Sequence, residues 1–236
     1  MVKAVIAPAS DTPAKRGKSE ASSKKGAALS MRDNAYEEIK RRIITLAYQP
    51  GAYVNEAQIC QDLDIGRTPV HMALERLVID GMIEVIPRKG VIVRPVTLDE
   101  IRSIIETRLL NEPAAVKLAT IRASDDEIKL LQNNARDAQL QTKKQNTEEL
   151  MRLDREFHSI IADATRNRVL AQILKGLHER SLRLWFISLS DSKRQHQVAG
   201  EHENILKAIV ARAPQQAEEA MREHIESFSS VIGHSI

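Results

Sequence analysis

Apolar residues recur at helical spacing in three stretches near the N-terminal end, give way briefly to an alternating pattern, and then return to helical spacing for the rest of the chain. From Met31 to Tyr48, Ala35, Ile39, Ile43 and Leu46 share a face, which predicts a helix with Arg32, Lys40, Arg41 and Arg42 outside. Glu56 to Leu63 repeats the pattern with Ala57, Ile59, Cys60 and Leu63 behind Asn55, a residue suited to cap it. Asp64-Ile65-Gly66 supplies a tight turn. A further helix opens at Arg67-Thr68-Pro69, with Thr68 as cap and proline at the first helical position. Val70, Ala73, Leu74, Leu77 and Val78 continue its core face, and Gly81 stops it. The period then changes to two. Residues 82–86 and 91–93 alternate around Pro87-Arg88-Lys89-Gly90, which predicts a hairpin. Helix, turn, helix and hairpin together outline a winged helix-turn-helix over residues 31–96.

After Pro95 the strand signals end. Thr97-Leu-Asp-Glu100 and Ser124-Asp-Asp-Glu127 both read as capping boxes, and Asn167 and Ala213-Pro214 mark breaks. The spacing predicts helices near 98–120, 125–144, 147–164, 168–189, 195–212 and 214–231, an all-α bundle of about six helices filling residues 97–232. The fold class is mainly α.

Composition sharpens this picture without changing it. The hydrophobic share of 42% in 236 residues can fill two cores, and aromatic residues are only 3%. No apolar run reaches bilayer-spanning length and no secretory leader is evident, so the expected location is cytoplasmic, with no membrane partner. One cysteine, Cys60, excludes an intrachain disulfide or a cysteine metal cluster. Net charge is only +3, so distribution matters more than the sum. Residues 1–30 hold six cations against Asp11 and Glu20 and have no hydrophobic period, which predicts a disordered basic tail.

Charge on the winged unit is placed for nucleic acid. Arg67, Thr68, His71 and Arg76 lie at the entrance or outer face of the second helix of the motif, where a recognition helix meets base edges in a major groove. Arg88, Lys89 and Gly90 form the wing tip. Arg32 and Arg42 are candidates for phosphate contacts, each of which steepens salt dependence by about one unit of slope.

The helical unit carries polar residues at inward positions. Asp154 and His158 are one turn apart on the face of Leu150, Met151, Phe157 and Ile161, while His202 and His224 fall on the stripes of Ile205 and Ile209 and of Met221 and Phe228. One carboxylate and three imidazoles aimed inward are costly unless paired or coordinating a cation. That donor set suits a divalent transition metal such as Zn, Ni or Mn. A closed tetrahedral site and an octahedral site open to a small carboxylate both fit. His71, His178, His196 and His234 lack this combination and are left out. Arg108 shares the stripe of Ile101, Ile104 and Ile105; its partner is either Glu112, one turn on, or a ligand carboxylate.

Two resemblances follow. Pro50-Gly51, Glu56, Arg67-Thr-Pro-Val70, Ala73-Leu74, Leu77, Asp80-Gly81 and Gly90-Val91 resemble the DNA-binding domain of GntR-type bacterial transcription regulators. The chain departs from that pattern at Asp64, where glycine is usual, at Gly66, where serine usually caps, and at His71, where an arginine usually contacts DNA. Glu106-Thr-Arg108, Leu110-Asn-Glu-Pro-Ala-Ala115, Asp154-Arg-Glu-Phe-His158, Asn167, Glu201-His202 and His224 resemble the helical FCD-type ligand-binding domain of the FadR subgroup. The resemblance implies a metal on Asp154, His158, His202 and His224, a small organic acid as effector, and Arg108 as its carboxylate contact, with Asn167 a further effector-binding candidate. It also implies a homodimer on a short palindromic double-stranded operator.

The expected function is therefore a ligand-responsive DNA-binding regulator, a repressor, and not an enzyme. Two alternatives are a metal-dependent hydrolase with Glu156 or Glu201 as base, and a constitutive repressor whose metal is purely structural.

Overall fold

The computed structural model describes the backbone of residues 30–235 and the side chains of residues 30–229, so the tail expectation and the side chain of His234 lie outside what is described. The first helix, α1, spans Met31–Ile44, capped by the Ser30 hydroxyl, which accepts the Asp33 N–H. It stops short of Tyr48 because Leu46 turns to a positive φ of 61°. A two-residue strand β1 (Tyr53–Val54) precedes α2 (Glu56–Leu63), where Asn55 caps by accepting the Ala57 N–H. Asp64 ends α2 in the left-handed conformation, a place where an aspartate is tolerated although glycine would be easier.

Helix α3 (Arg67–Ile79) begins differently from expectation. Gly66 is the cap, no side chain caps the helix, Thr68 lies in the first turn, and Pro69 is the third helical residue. Strands β2 (Ile83–Ile86) and β3 (Gly90–Val93) form the hairpin, and β1 adds to β3 in the order β1-β3-β2, all antiparallel. A two-residue strand is too short to show a period, which is why β1 was not legible. Gly90 is required at its position: its φ is +104°, and a Cβ there would meet the Val54 carbonyl oxygen of β1 at 2.9 Å. Ala35, Ile39, Ile43, Ile59, Val70, Ala73, Leu77, Ile83, Val91 and Val93 make the core of this domain. Ala57 and Val78, expected inside, are exposed.

The helical domain follows its predicted order closely: α4 (Leu98–Arg122), α5 (Asp125–Lys144), α6 (Thr147–Ala164), α7 (Arg168–Ser188), α8 (Ser192–Val210) and α9 (Pro214–Ser235). Ser124 and Glu127 form a complete capping box, whereas at Thr97 only the forward bond, to the Glu100 N–H, is made. Helix α4 lies along α9, α5 packs on α6 and α8, and α6 on α7. Val116, Leu131, Leu153, Phe157, Trp185, Ile205, Ile209 and Phe228 fill the centre. Truncating a side chain as completely buried as Phe157 to alanine costs about 3–5 kcal/mol.

The two domains meet where α1 packs on α7. Lys40, expected outside, is 3% exposed and pairs with Glu179 of α7. Its place on the inward stripe with Tyr36 and Ile43 makes it a junction residue instead of a phosphate contact. Arg183 of α7 donates to the Arg94 carbonyl at 2.7 Å beside it. Among the described residues no helix is long and apolar enough to cross a membrane.

Candidate functional site

The winged domain presents one continuous outer face. Arg67, Thr68 and His71 are exposed at the start of α3, whose first N–H groups have no side-chain cap. Uncapped N–H groups at a helix N-terminus are suited to phosphate oxygens. Arg88 and Lys89 are exposed at the wing tip beside Gly90, Lys89 lying 5.9 Å over the Tyr53 ring. Arg32 is exposed near Asp33.

Other cations of the candidate set are tied within the domain. Arg42 is half-buried against Glu38, the Asp62 carbonyl and the Tyr48 hydroxyl, and Arg76 lies 3.7 Å over the Tyr36 ring with Asp33 nearby. Both therefore brace α1 against its neighbours, Arg76 while remaining about half exposed on the outer side of α3. His71 is exposed, yet Glu56 sits 3.3 Å from Nδ1 and Glu75 3.5 Å from Nε2. The imidazole is oriented by two carboxylates before any base arrives.

In the helical domain Asp154 and His158 of α6, His202 of α8 and His224 of α9 converge, with one ligand atom from each lying within 4.8 Å of all the others. All four are buried. Both Asp154 carboxylate oxygens and the Nε2 atoms of His158, His202 and His224 are buried without a hydrogen-bond partner. Unsatisfied atoms of this kind are rare, and here they share one point in space. A cation accepted by nitrogen and oxygen donors would satisfy all of them at once, so the residues fit a divalent transition metal.

The surrounding residues orient the imidazoles. His158 Nδ1 faces Glu112 of α4 at 3.2 Å, and His224 Nδ1 faces Glu201 of α8 at 2.8 Å. Donating Nδ1–H to a carboxylate leaves each Nε2 with a free lone pair toward the cluster, as metal-binding histidines require. Glu201 is itself held by the Ser227 hydroxyl at 2.6 Å and Arg194 at 3.0 Å. His202 stacks on Phe157 at 4.2 Å.

Protonation follows the same logic. Burial pushes the His158 imidazole down to about 4, helped by nearby His178 and opposed by Glu112. Burial also drives His224 well below the ordinary histidine range, with His202, His158 and Arg108 adding to it. Burial raises the Asp154 carboxyl, but the close approach of His202, whose Nε2 lies 3.3 Å from it, and the neighbouring His158 and His178 imidazoles outweigh it and hold the group below its usual value. At neutral pH the Asp154 carboxylate therefore faces neutral imidazoles at His158 and His224.

Sequence reasoning missed part of this assembly. His178 of α7, set aside earlier, is buried with Nε2 3.3 Å from Glu112, its ring 4.2 Å from that of His158. Its spacing with Leu174, Leu182 and Trp185 was the available signal. Glu112, His158 and His178 form a second group with metal-ligand spacing. However, Arg108 already binds Glu112 through Nε at 2.6 Å and Nη2 at 3.3 Å. With both imidazoles also on it, that carboxylate is fully partnered, and burial notwithstanding, Arg108 and His178 hold it well below the ordinary range.

Arg108 thus has the bland partner, Glu112, but only in part: its Nη1 is buried and unpartnered, as is the indole N–H of Trp185, whose ring centre lies 5.5 Å from the guanidinium carbon. Asn167 is not brought to the cluster; it is exposed, and its side chain caps α7 by accepting the Leu170 N–H. His196 is also exposed, bonded to the Ser192 carbonyl. Neither proposed hydrolytic base is free: Glu156 is exposed and paired with Arg152, and Glu201 serves His224.

Comparison with known proteins places both halves. Residues 31–93 match the gntR family of bacterial regulatory proteins and residues 103–227 match the FCD domain. The Nta operon transcriptional regulator of Aminobacter aminovorans is 26% identical over 183 residues, covering 78% of this chain and 85% of that one. The HTH-type transcriptional repressor RspR of Escherichia coli is 20% identical over 197 residues, covering 84% and 86%. In fold the chain is similar to E. coli McbR/YncC, with a TM-score of 0.78 and 20% identity over 88% of this chain and 99% of that one. These relatives are regulators and not enzymes, and the chain belongs to the GntR family of bacterial transcription regulators, joining a winged helix-turn-helix to an FCD effector-binding domain.

Proposed function

We propose that this regulator is a homodimeric repressor in which residues 31–96 bind a palindromic operator and residues 97–232 dimerise and hold a divalent metal and a small organic acid. The observation that carries the reading is the convergence of unpartnered Asp154 oxygens with the Nε2 atoms of His158, His202 and His224. These four would hold the metal, which when bound would supply a Lewis-acid contact for a carboxylate. The buried Nη1 of Arg108 and the indole N–H of Trp185, both donors without partners, support an anion on the same side of the bundle. Arg67, Thr68, His71, Arg88, Lys89 and Gly90 are the residues on the outer face that support operator contact, Arg67 reading a base and the wing tip meeting phosphate.

Control requires the acid to prefer one arrangement of the two winged domains over another, because a ligand shifts an equilibrium only by its differential affinity. The test is the melting temperature of purified protein against a panel of mono-, di- and tricarboxylates, run on metal-loaded and chelator-stripped samples. A true ligand raises the melting point with concentration. An acid that stabilises only the metal-loaded form supports the reading. A melting point that falls on stripping while no acid has any effect assigns the cluster a structural role.

A further inference from the structure

Between α6 and α7 lies a pocket of about 120 Å³ lined by Arg155, His158, Ser159, Lys175, His178 and Glu179. Apart from His158, no member of the tetrad lines it, and neither does Arg108. The volume suits a very small ligand, well below the usual range for drug-sized ones. Two cations stand at its edge, Arg155 and Lys175, each nearly half exposed. Two buried imidazoles, His158 and His178, share the lining. His178 turns Nε2 to Glu112, so in the neutral ring Nε2 carries the proton and Nδ1 is a lone-pair acceptor. That Nδ1 is buried and has no partner.

A ligand that matches these groups carries a carboxylate for the two cations and a hydroxyl to donate to the imidazole. Glu179 links the same pocket to the winged domain. One of its oxygens pairs with Arg155 and the other with Lys40 of α1. Lys40 is buried, and its remaining polar neighbour is the Tyr36 hydroxyl at 3.4 Å. A buried ammonium that loses its carboxylate is strongly disfavoured, so the seating of α1 on α7 depends on where Glu179 points.

We propose that this pocket binds a small hydroxycarboxylate, whose carboxylate takes Arg155 and Lys175, whose hydroxyl donates to His178 Nδ1, and whose charge repels Glu179 from Lys40 and unseats α1. Arg155 and Lys175 leave Glu179 and Asp163, their present partners, for the ligand. The winged domain is then held to the bundle by fewer contacts. This site is separate from the acid position proposed above, and the single tryptophan distinguishes the two. Trp185 packs on His224 and Arg108 and does not line the α6–α7 pocket.

The experiment uses the metal-loaded full chain with glycolate and acetate, a pair that differs by one hydroxyl. Hydrogen exchange of α1 and of residues 94–97 is followed with Trp185 fluorescence in parallel. Glycolate is expected to speed exchange in both segments, with acetate about tenfold weaker for want of the hydroxyl. Arg155→Gln should weaken the glycolate response about tenfold or more, and Arg155→Lys should restore part of it. Glu179→Gln should give raised exchange without ligand and no further rise with it. Trp185 emission should stay unchanged throughout. An unaltered response in Arg155→Gln, equal potency of acetate, or no change in α1 exchange at any glycolate concentration would each overturn the proposal. A glycolate response that appears in Trp185 emission and survives Arg155→Gln would place the acid at Arg108 instead.

Discussion

Lowering the pH should destabilise the metal-free helical domain, and His158 allows the size of the effect to be worked out. Its imidazole is buried and held down at about 4, against 6.5 for an ordinary histidine. Because the folded value is depressed, the unfolded chain takes up a proton first as pH falls. The associated stability is fully present above about pH 6.5 and is lost progressively toward pH 4. Going from about pH 7.5 to about pH 5, protonation of the unfolded chain alone removes about 2 kcal/mol, and continuing well below pH 4 brings the total to about 3 kcal/mol. His224, also depressed by burial, adds in the same direction. The assay is urea unfolding of chelator-stripped protein followed by Trp185 emission, a probe at the cluster itself. In His158→Gln the stability difference between the two pH values should shrink by about 2 kcal/mol, equivalent to about 4–8 °C in melting temperature. If wild type and His158→Gln lose the same stability between the two pH values, the imidazole is not buried as a neutral group and the argument fails.

Other outcomes follow from the same geometry. Glu201→Ala removes the carboxylate that turns His224 and should weaken metal affinity about 10–100-fold in competition titrations with a chromophoric chelator. Asp154→Asn keeps the shape but removes the one anionic ligand, so its melting temperature should no longer respond to chelator; a full response would exclude Asp154 from the metal. Arg67→Ala should cost about 1–3 kcal/mol in operator binding and blur base preference in a titration at fixed salt. His71→Arg places a longer cation between Glu56 and Glu75, and selection from a randomised operator pool should show preference moving toward guanine at one position in each half-site.

The elements were legible because each announces itself locally. The Ser124-Glu127 pair, Asn167 and Ala213-Pro214 set helix boundaries by capping or by breaking, so the six helices of the bundle fall within a few residues of their predicted ends. His158, His202 and His224 were legible as inward residues for a related reason, since one stripe per helix suffices to say which face is buried, whereas the same signal at His178 was passed over. What was not legible needed two elements at once. Lys40 looks like a surface lysine until Glu179, far along the chain, is packed against it. Glu112 looks like half of an ordinary helical ion pair until His158 and His178 arrive from two other helices. Arg76 has the position of a DNA contact, and only the Tyr36 ring beneath it shows where its charge is held.

The order in which the cluster comes together is fixed by its position in the chain. Asp154 and His158 come from α6, but the last imidazole is His224 on α9, the helix that also lies along α4. A ribosome adding about 5–20 residues per second needs several seconds to travel from one to the other. During that interval α4 has no α9 to cover it, and two ligands wait for the rest. The cluster is thus a late event in the life of each molecule, and a chain interrupted before α9 would expose both the apolar face of α4 and an incomplete donor set.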